Sequence, residues 1–159
     1  MKIYKKDSGI KTITYAEALD VALCFGWIDG QKQAFDEECW LQKFCPRTTK
    51  SIWSKVNIGH VERLIKNDKM RPAGLKAIES AKADGRWEKA YDSPSKMTIP
   101  EDFLKVLSKN KKAETFFKSL NKTNLYSIGF QLKTTKKQET RDKRMKAIIE
   151  KLAKGEKFH

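Results

Sequence analysis

The sequence predicts an α+β fold: a small antiparallel sheet with packed helices, followed by a basic all-helical C-terminal segment. Three observations carry that reading. Apolar residues recur at helical spacing through most of the chain. The spacing becomes strand-like only between Trp27 and Cys45. Positive charge gathers towards the C-terminus: residues 1–94 carry 17 basic and 13 acidic side chains, a net of +4, whereas residues 95–159 carry 17 and 7, a net of +10. The change falls at Asp92-Ser93-Pro94-Ser95, a polar stretch with a proline that reads as a linker or long turn. The expectation is an α+β segment over 1–94 and a basic helical segment over 95–159, packed together as one compact unit.

The elements follow in order. Ile3-Tyr4 reads as the end of a strand, and Asp7-Ser8-Gly9 as a turn. Thr14-Tyr15-Ala16-Glu17 is a capping box, after which Tyr15, Ala18, Leu19, Ala22 and Leu23 form one helical stripe. Gly26 suits the left-handed residue that stops such a helix. Trp27–Phe35 and Cys39–Phe44, joined by Asp36-Glu37-Glu38, read as a β-hairpin. Strict alternation would put Trp27, Asp29, Gln31, Gln33 and Phe35 on one face. That mixture of rings and hydrogen-bonding groups suits the border of a groove better than a plain core.

Beyond the Pro46-Arg47-Thr48-Thr49-Lys50 loop, Ile58, Val61, Leu64 and Ile65 mark a helix. Pro72 opens a second, carried by Leu75, Ile78 and Ala81 and ended by Gly85. In the basic segment, Phe103, Leu104 and Leu107 mark one helix after Pro100, Phe116, Phe117 and Leu120 another, and Leu125, Ile128 and Leu132 a third. Thr135-Lys136-Lys137-Gln138 has the form of a capping box for the last helix, striped by Met145, Ile148, Ile149 and Leu152 and ended by Gly155.

Composition narrows the function. The 159 residues carry a net charge of +14 and 39% hydrophobic side chains, enough for a core and wrong for an acidic disordered tail. No apolar run approaches the roughly 18 residues of a membrane span, and no secretion signal opens the chain. The three cysteines, Cys24, Cys39 and Cys45, then read as free thiols in a reducing compartment, which places the protein in the cytoplasm. His60 and His159 are the only histidines, so no metal site and no cofactor are expected. Ser51, Ser54 and Cys24 are nucleophiles without a placed base, and no phosphate or dinucleotide loop occurs. A small-molecule enzyme is the weakest of the readings.

Two site hypotheses remain. In the first, Asp29 and Arg47 flank the far ends of the hairpin and meet if it forms. Pro46 ends the strand, so Arg47 projects beside that junction with Trp53 close enough to stack on its guanidinium. Trp27, Asp29, Gln31, Arg47, Trp53, Ser54 and Asn57 would then border a groove for an acidic small molecule or protein partner. The bland alternative is a structural ion pair among core tryptophans. In the second, Arg141, Lys143, Arg144 and Lys151 on the last helix contact nucleic-acid phosphates without sequence specificity. The bland alternative there is a solvated helix face.

The residues also carry a resemblance. Cys24-Phe25-Gly26-Trp27-Ile28-Asp29-Gly30, Phe44-Cys45-Pro46-Arg47 and Ser51-Ile52-Trp53-Ser54, followed by Arg71-Pro72-Ala73-Gly74, Asp84-Gly85-Arg86-Trp87 and Glu139-Thr140-Arg141-Asp142-Lys143-Arg144, resemble the YdeI/OmpD-associated, or bacteriocin-protection, family of bacterial proteins. The resemblance implies a stress-response role in resistance to bacteriocins and cationic antimicrobial peptides, and by name a porin link. It brings no catalytic residues. It also implies a stretch ahead of Tyr4, so the first strand is expected to be short, leaving residues 1–6 loosely held or an exposed sheet edge through which a homodimer forms.

Overall fold

The computed structural model describes residues 1–158. The chain divides between Ala90 and Tyr91 into two units. The first holds a three-stranded antiparallel sheet and three α-helices, and the second holds four α-helices, counted among the described residues.

In the first unit, β1 (Lys2–Tyr4) and β2 (Trp27–Ala34) both pair with β3 (Cys39–Pro46), giving the order β1-β3-β2. All three residues of β1 pair with β3. Of the two outcomes expected for residues 1–6, loose holding is not seen at Met1 or Lys5: the Met1 amine donates to Gln42 O at 3.0 Å, Gln42 N to Met1 O at 2.8 Å and Lys5 N to Glu38 O at 2.7 Å. The hairpin closes on Asp36, whose carboxylate accepts from Glu38 N at 2.9 Å and Cys39 N at 2.7 Å. The Cys39 thiol also donates to it at 3.3 Å, and that bond first, with the backbone bonds, holds the Asp36 carboxyl below the usual range.

One expectation about the hairpin fails. Asp29 faces Phe44, but the next pair is Lys32 with Gln42, so Gly30 and Gln31 together oppose Lys43. This two-for-one bulge reverses the alternation beyond it. Trp27 and Asp29 share a face with Lys32 and Ala34, while Gln31 and Gln33 leave that face. The bulge is filled from within the sheet: buried Gln42 donates Nε2 to Gly30 O at 3.1 Å and to Lys43 O at 3.2 Å.

Helix α1 (Tyr15–Cys24) begins in the expected capping box, with Thr14 Oγ1 accepting from Glu17 N and Glu17 accepting from Thr14 N. It buries Ala18, Leu19, Leu23 and Cys24. Gly26, at φ +75°, reverses the chain into β2. Helix α2 (Lys55–Lys66) is capped by Ser54, and α3 (Pro72–Ala83) starts on Pro72. Gly74 explains a motif glycine: a Cβ there would stand 2.2 Å from Cys24 O. Glycine costs about 1 kcal/mol in a helix interior, yet here it lets α3 touch the end of α1. The core joins Leu19, Leu23, Trp53, Val61, Leu64 and Ile78. Ile65 and Leu75, expected on the apolar stripes, stay exposed because each lies at the flank of its helix's buried arc.

In the second unit, α4 (Glu101–Leu107), α5 (Lys111–Lys118), α6 (Lys122–Lys133) and α7 (Gln138–Ala153) surround Phe103, Leu107, Ile128, Leu132, Ile148 and Leu152. Asn110 and Asn121 cap α5 and α6. The expected capping box at Thr135 does not form. Its hydroxyl donates to Gln131 O at 2.6 Å and accepts from Arg144 Nη1 at 2.7 Å, and Lys137 stands at the N-cap of α7 without a side-chain bond. Leu104, placed on the apolar side by its spacing, points outward.

Candidate functional site

The hairpin ends meet as expected: Arg47 N donates to Gly26 O at 2.9 Å. The Asp29 carboxylate accepts from the Tyr15 hydroxyl at 2.7 Å, which ties β2 to α1. Arg47 lies over Trp53, its guanidinium carbon 3.5 Å from the ring centroid, and its Nη1 donates to Ile52 O at 3.1 Å. Trp53 in turn meets Trp87 at 4.9 Å between centroids. Trp53 itself is buried, and its Nε1–H finds no acceptor among the described residues.

These contacts redraw the expected groove. Ser54 and Asn57 are buried, and Ser54 Oγ accepts from Asn57 N at 3.1 Å to start α2. Both are structural here. Trp53 forms the layer beneath the surface. The Nε and Nη2 atoms of Arg47 are buried as well, so Arg47 does not hold an open fork towards solvent. Gln31 leaves the face at the bulge. Of the seven candidates, Trp27 and Arg47 remain on the wall of an open cleft.

That cleft has a volume of about 480 Å³ and runs between the hairpin ends and α3. Its cations are Arg47, Lys76 and Arg86, its hydroxyls belong to Thr48, Thr49 and Ser80, and no carboxylate stands among its described lining residues. Arg86 is the member that the sequence did not single out. Buried at 7% exposure, it donates from Nε to Asp84 at 2.7 Å, from Nη1 to Thr48 O and Ser51 O at 3.2 and 3.0 Å, and from Nη2 to Ser80 Oγ at 3.2 Å. It clamps the loop that carries Arg47. The same loop is closed by its own turn, Ser51 N donating to Thr48 O at 3.0 Å and Thr48 N to Ser51 Oγ at 2.9 Å. A binding wall fixed before the ligand arrives loses less entropy on binding.

The basic candidates of α7 are engaged locally. Arg141 makes a two-pronged pair with Asp102, which lowers the Asp102 carboxyl, and Lys143 pairs with Glu139 at 2.7 Å. Arg144 donates to Gln131 O at 3.1 Å and to Thr135, and Lys151 lies 5.0 Å from the Phe158 ring centroid. Among the nucleophiles, burial pushes up the thiols of Cys24 and Cys39, which suppresses the reactive thiolate. No cluster of metal-ligating side chains occurs among the described residues, and no described helix is long and apolar enough to cross a membrane.

Residues 96–155 match the family model described as Bacteriocin-protection, YdeI or OmpD-Associated. Residues 1–77 match a second, described as Domain of unknown function (DUF8412). The model of the family that the sequence resembles thus matches within the C-terminal unit, and Trp27, Arg47 and Trp53 lie within the span of the second match. Neither the curated proteins nor the solved structures contain a match to the chain.

Proposed function

We propose, from the match of residues 96–155 to the bacteriocin-protection family and from the cleft beside Arg47, that this chain is a non-enzymatic protection protein that binds an acidic ligand or protein partner. One observation carries the reading: the cleft gathers Arg47 and Lys76 around three hydroxyls with no carboxylate among its described lining residues, while Arg86, paired with Asp84, holds the loop in place. Such a wall attracts anions, and the partly sheltered guanidinium of Arg47 is screened less than a surface lysine. The sign of charge also selects the partner. A chain of net +14 repels a cationic antimicrobial peptide. Protection on this reading works through an acidic cellular component, and not by sequestering the peptide. The free thiols favour a cytoplasmic site of action, which recovery of the mature protein from the periplasm overturns.

Lys76 is the cleaner handle, because it is exposed whereas part of Arg47 is buried. Cells producing Lys76→Glu should lose resistance to a cationic antimicrobial peptide while the purified variant keeps its Tm. Arg47→Ala should lose resistance too, at a stability cost of about 1 kcal/mol for the stack. Full resistance in both variants rejects the cleft. The second reading, nucleic-acid binding through the second unit, rests on the net +10 of residues 95–159. A steep fall of DNA or RNA affinity with salt would favour it.

A further inference from the structure

Beside the basic cleft lies a second depression, of about 340 Å³, on the outer side of α1 and the sheet. Its walls include Met1, Val21, Phe25, Trp27 and Phe44, and they are almost wholly apolar. Phe25 and Trp27 line both depressions, so the two are contiguous. Met1, Val21, Phe25 and Trp27 are 61%, 54%, 49% and 42% exposed. A single exposed apolar side chain is ordinary, but four around one groove form a patch of the kind that marks an interaction site.

We propose that the apolar groove and the basic cleft together form one docking site for a peptide segment of a partner protein, in which apolar side chains stand next to carboxylates. The proposal rests on the acidic-partner reading above and names its chemical class. Charge complementarity sets the acidic end: carboxylates fall on the wall of Lys76 and of Arg47, whose loop Arg86 clamps. The groove sets the apolar end, over Val21, Phe25 and Trp27. The groove is open, with its aromatic walls half in solvent, whereas small-molecule sites enclose most of their ligand. Aromatic residues, methionine and arginine are also the types enriched where proteins meet. A short peptide laid across the groove fits this shape better than a lone acyl chain, which would keep much of its length in water.

The test is fluorescence anisotropy of the full chain with a fluorescein-labelled peptide holding a pair of leucines between glutamates. Comparison peptides replace the leucines by serine, or the glutamates by lysine. The parent peptide should bind at least about tenfold tighter than either. Val21→Gln with Phe25→Gln should weaken the parent peptide about tenfold and leave the serine peptide unchanged. Both positions are exposed, so circular dichroism should report a native fold, and Leu104→Gln, an exposed apolar change in the second unit, should leave binding intact. Equal affinity for the leucine and serine peptides, sensitive to Lys76→Glu but not to the Val21 and Phe25 changes, overturns the apolar half and leaves the acidic-ligand reading standing. Indifference to Lys76→Glu and Arg47→Ala overturns that reading itself. Dodecanoate displacing the peptide and binding more tightly than it assigns the groove to an amphiphile, and absence of binding below about 1 mM ends the proposal.

Discussion

The two units hold their positive charge in different ways. In the second, which carries most of the net charge, cations are placed by near neighbours or by surface pairs: Lys118 with Glu114, Lys143 with Glu139, Arg141 with Asp102. In the first, two cations are also held by buried contacts with backbone or ring partners. Arg86 reaches back to Thr48 and Ser51, and Arg47 lies on a buried tryptophan. Their cores differ in the same sense. The second unit is apolar around one buried asparagine, Asn124, whereas the first buries Gln42, Ser54, Asn57 and Arg86. The difference teaches that net charge and a built site are separate quantities. The unit with less excess charge clamps the loop of one cleft cation by buried bonds, whereas Lys111, Lys112 and Lys154, which line a cleft in the second unit, are exposed.

If the second unit rests on apolar packing, Phe103→Ala should be the most damaging change there, costing about 4 kcal/mol in urea unfolding of the full chain. A loss below about 1 kcal/mol would mean that the buried ring is not the keystone its burial indicates. Next in size, Arg86→Met should cost about 2 kcal/mol, because it removes the donors that Thr48 O and Ser51 O share, while the half-exposed Asp84 carboxylate turns to water. It should also raise amide exchange across residues 48–52, a readout that a simple packing defect would not move. If exchange there is unchanged, Arg86 does not clamp the loop, and the contrast between the units weakens.

The smallest effect concerns Asp102. The Arg141 bonds lower its carboxyl in the folded chain, so the unfolded chain takes up the proton first as pH falls. The contribution is therefore complete above the ordinary carboxylate range, near pH 4, and is lost as pH drops through the lower folded value. Asp102 is half-exposed, which keeps the term at or below about 1 kcal/mol. Asp102→Asn should lose that amount at neutral pH and show a shallower decline in urea midpoint on the acid side. A wild-type decline that the variant reproduces in full would assign acid sensitivity to other carboxylates.

Much of the fold was legible because it is written in short-range periodicity. The stripe of Ala18, Leu19 and Leu23, the Thr14–Glu17 box and the runs through Ile128, Leu132, Ile148 and Leu152 each repeat within a few residues. The stack of Arg47 on Trp53 was legible for a related reason, since Pro46 and the hairpin limit where the next residues can go. The bulge was not, because one extra residue at Gly30–Gln31 leaves no trace in composition yet reverses the facing of Gln31. Arg86 lies two residues from Asp84, and nothing local distinguishes a surface pair from a buried clamp. Thr135 matched its motif but bonded to the preceding helix, where Gln131 O was nearer than an amide still to come. Gly74 was visible as a motif glycine, and only the approach to Cys24 O gives its reason.

The bulge also bears on what the edge of the sheet offers to another strand. The central strand, Cys39–Pro46, holds the rings and β-formers that seed cross-β growth when laid bare. It is flanked on both sides, and each flank is a poor template. β1 has only three residues, with Lys2, Lys5 and Lys6 along or beside it. β2 is long enough to recruit a further chain, but the irregularity at Gly30–Gln31 breaks the even ladder that an incoming strand must match. Gln42 holds that irregularity in place from the inside. A side chain that looks like a local repair thus keeps the outer edge of β2 an uneven template for an incoming strand.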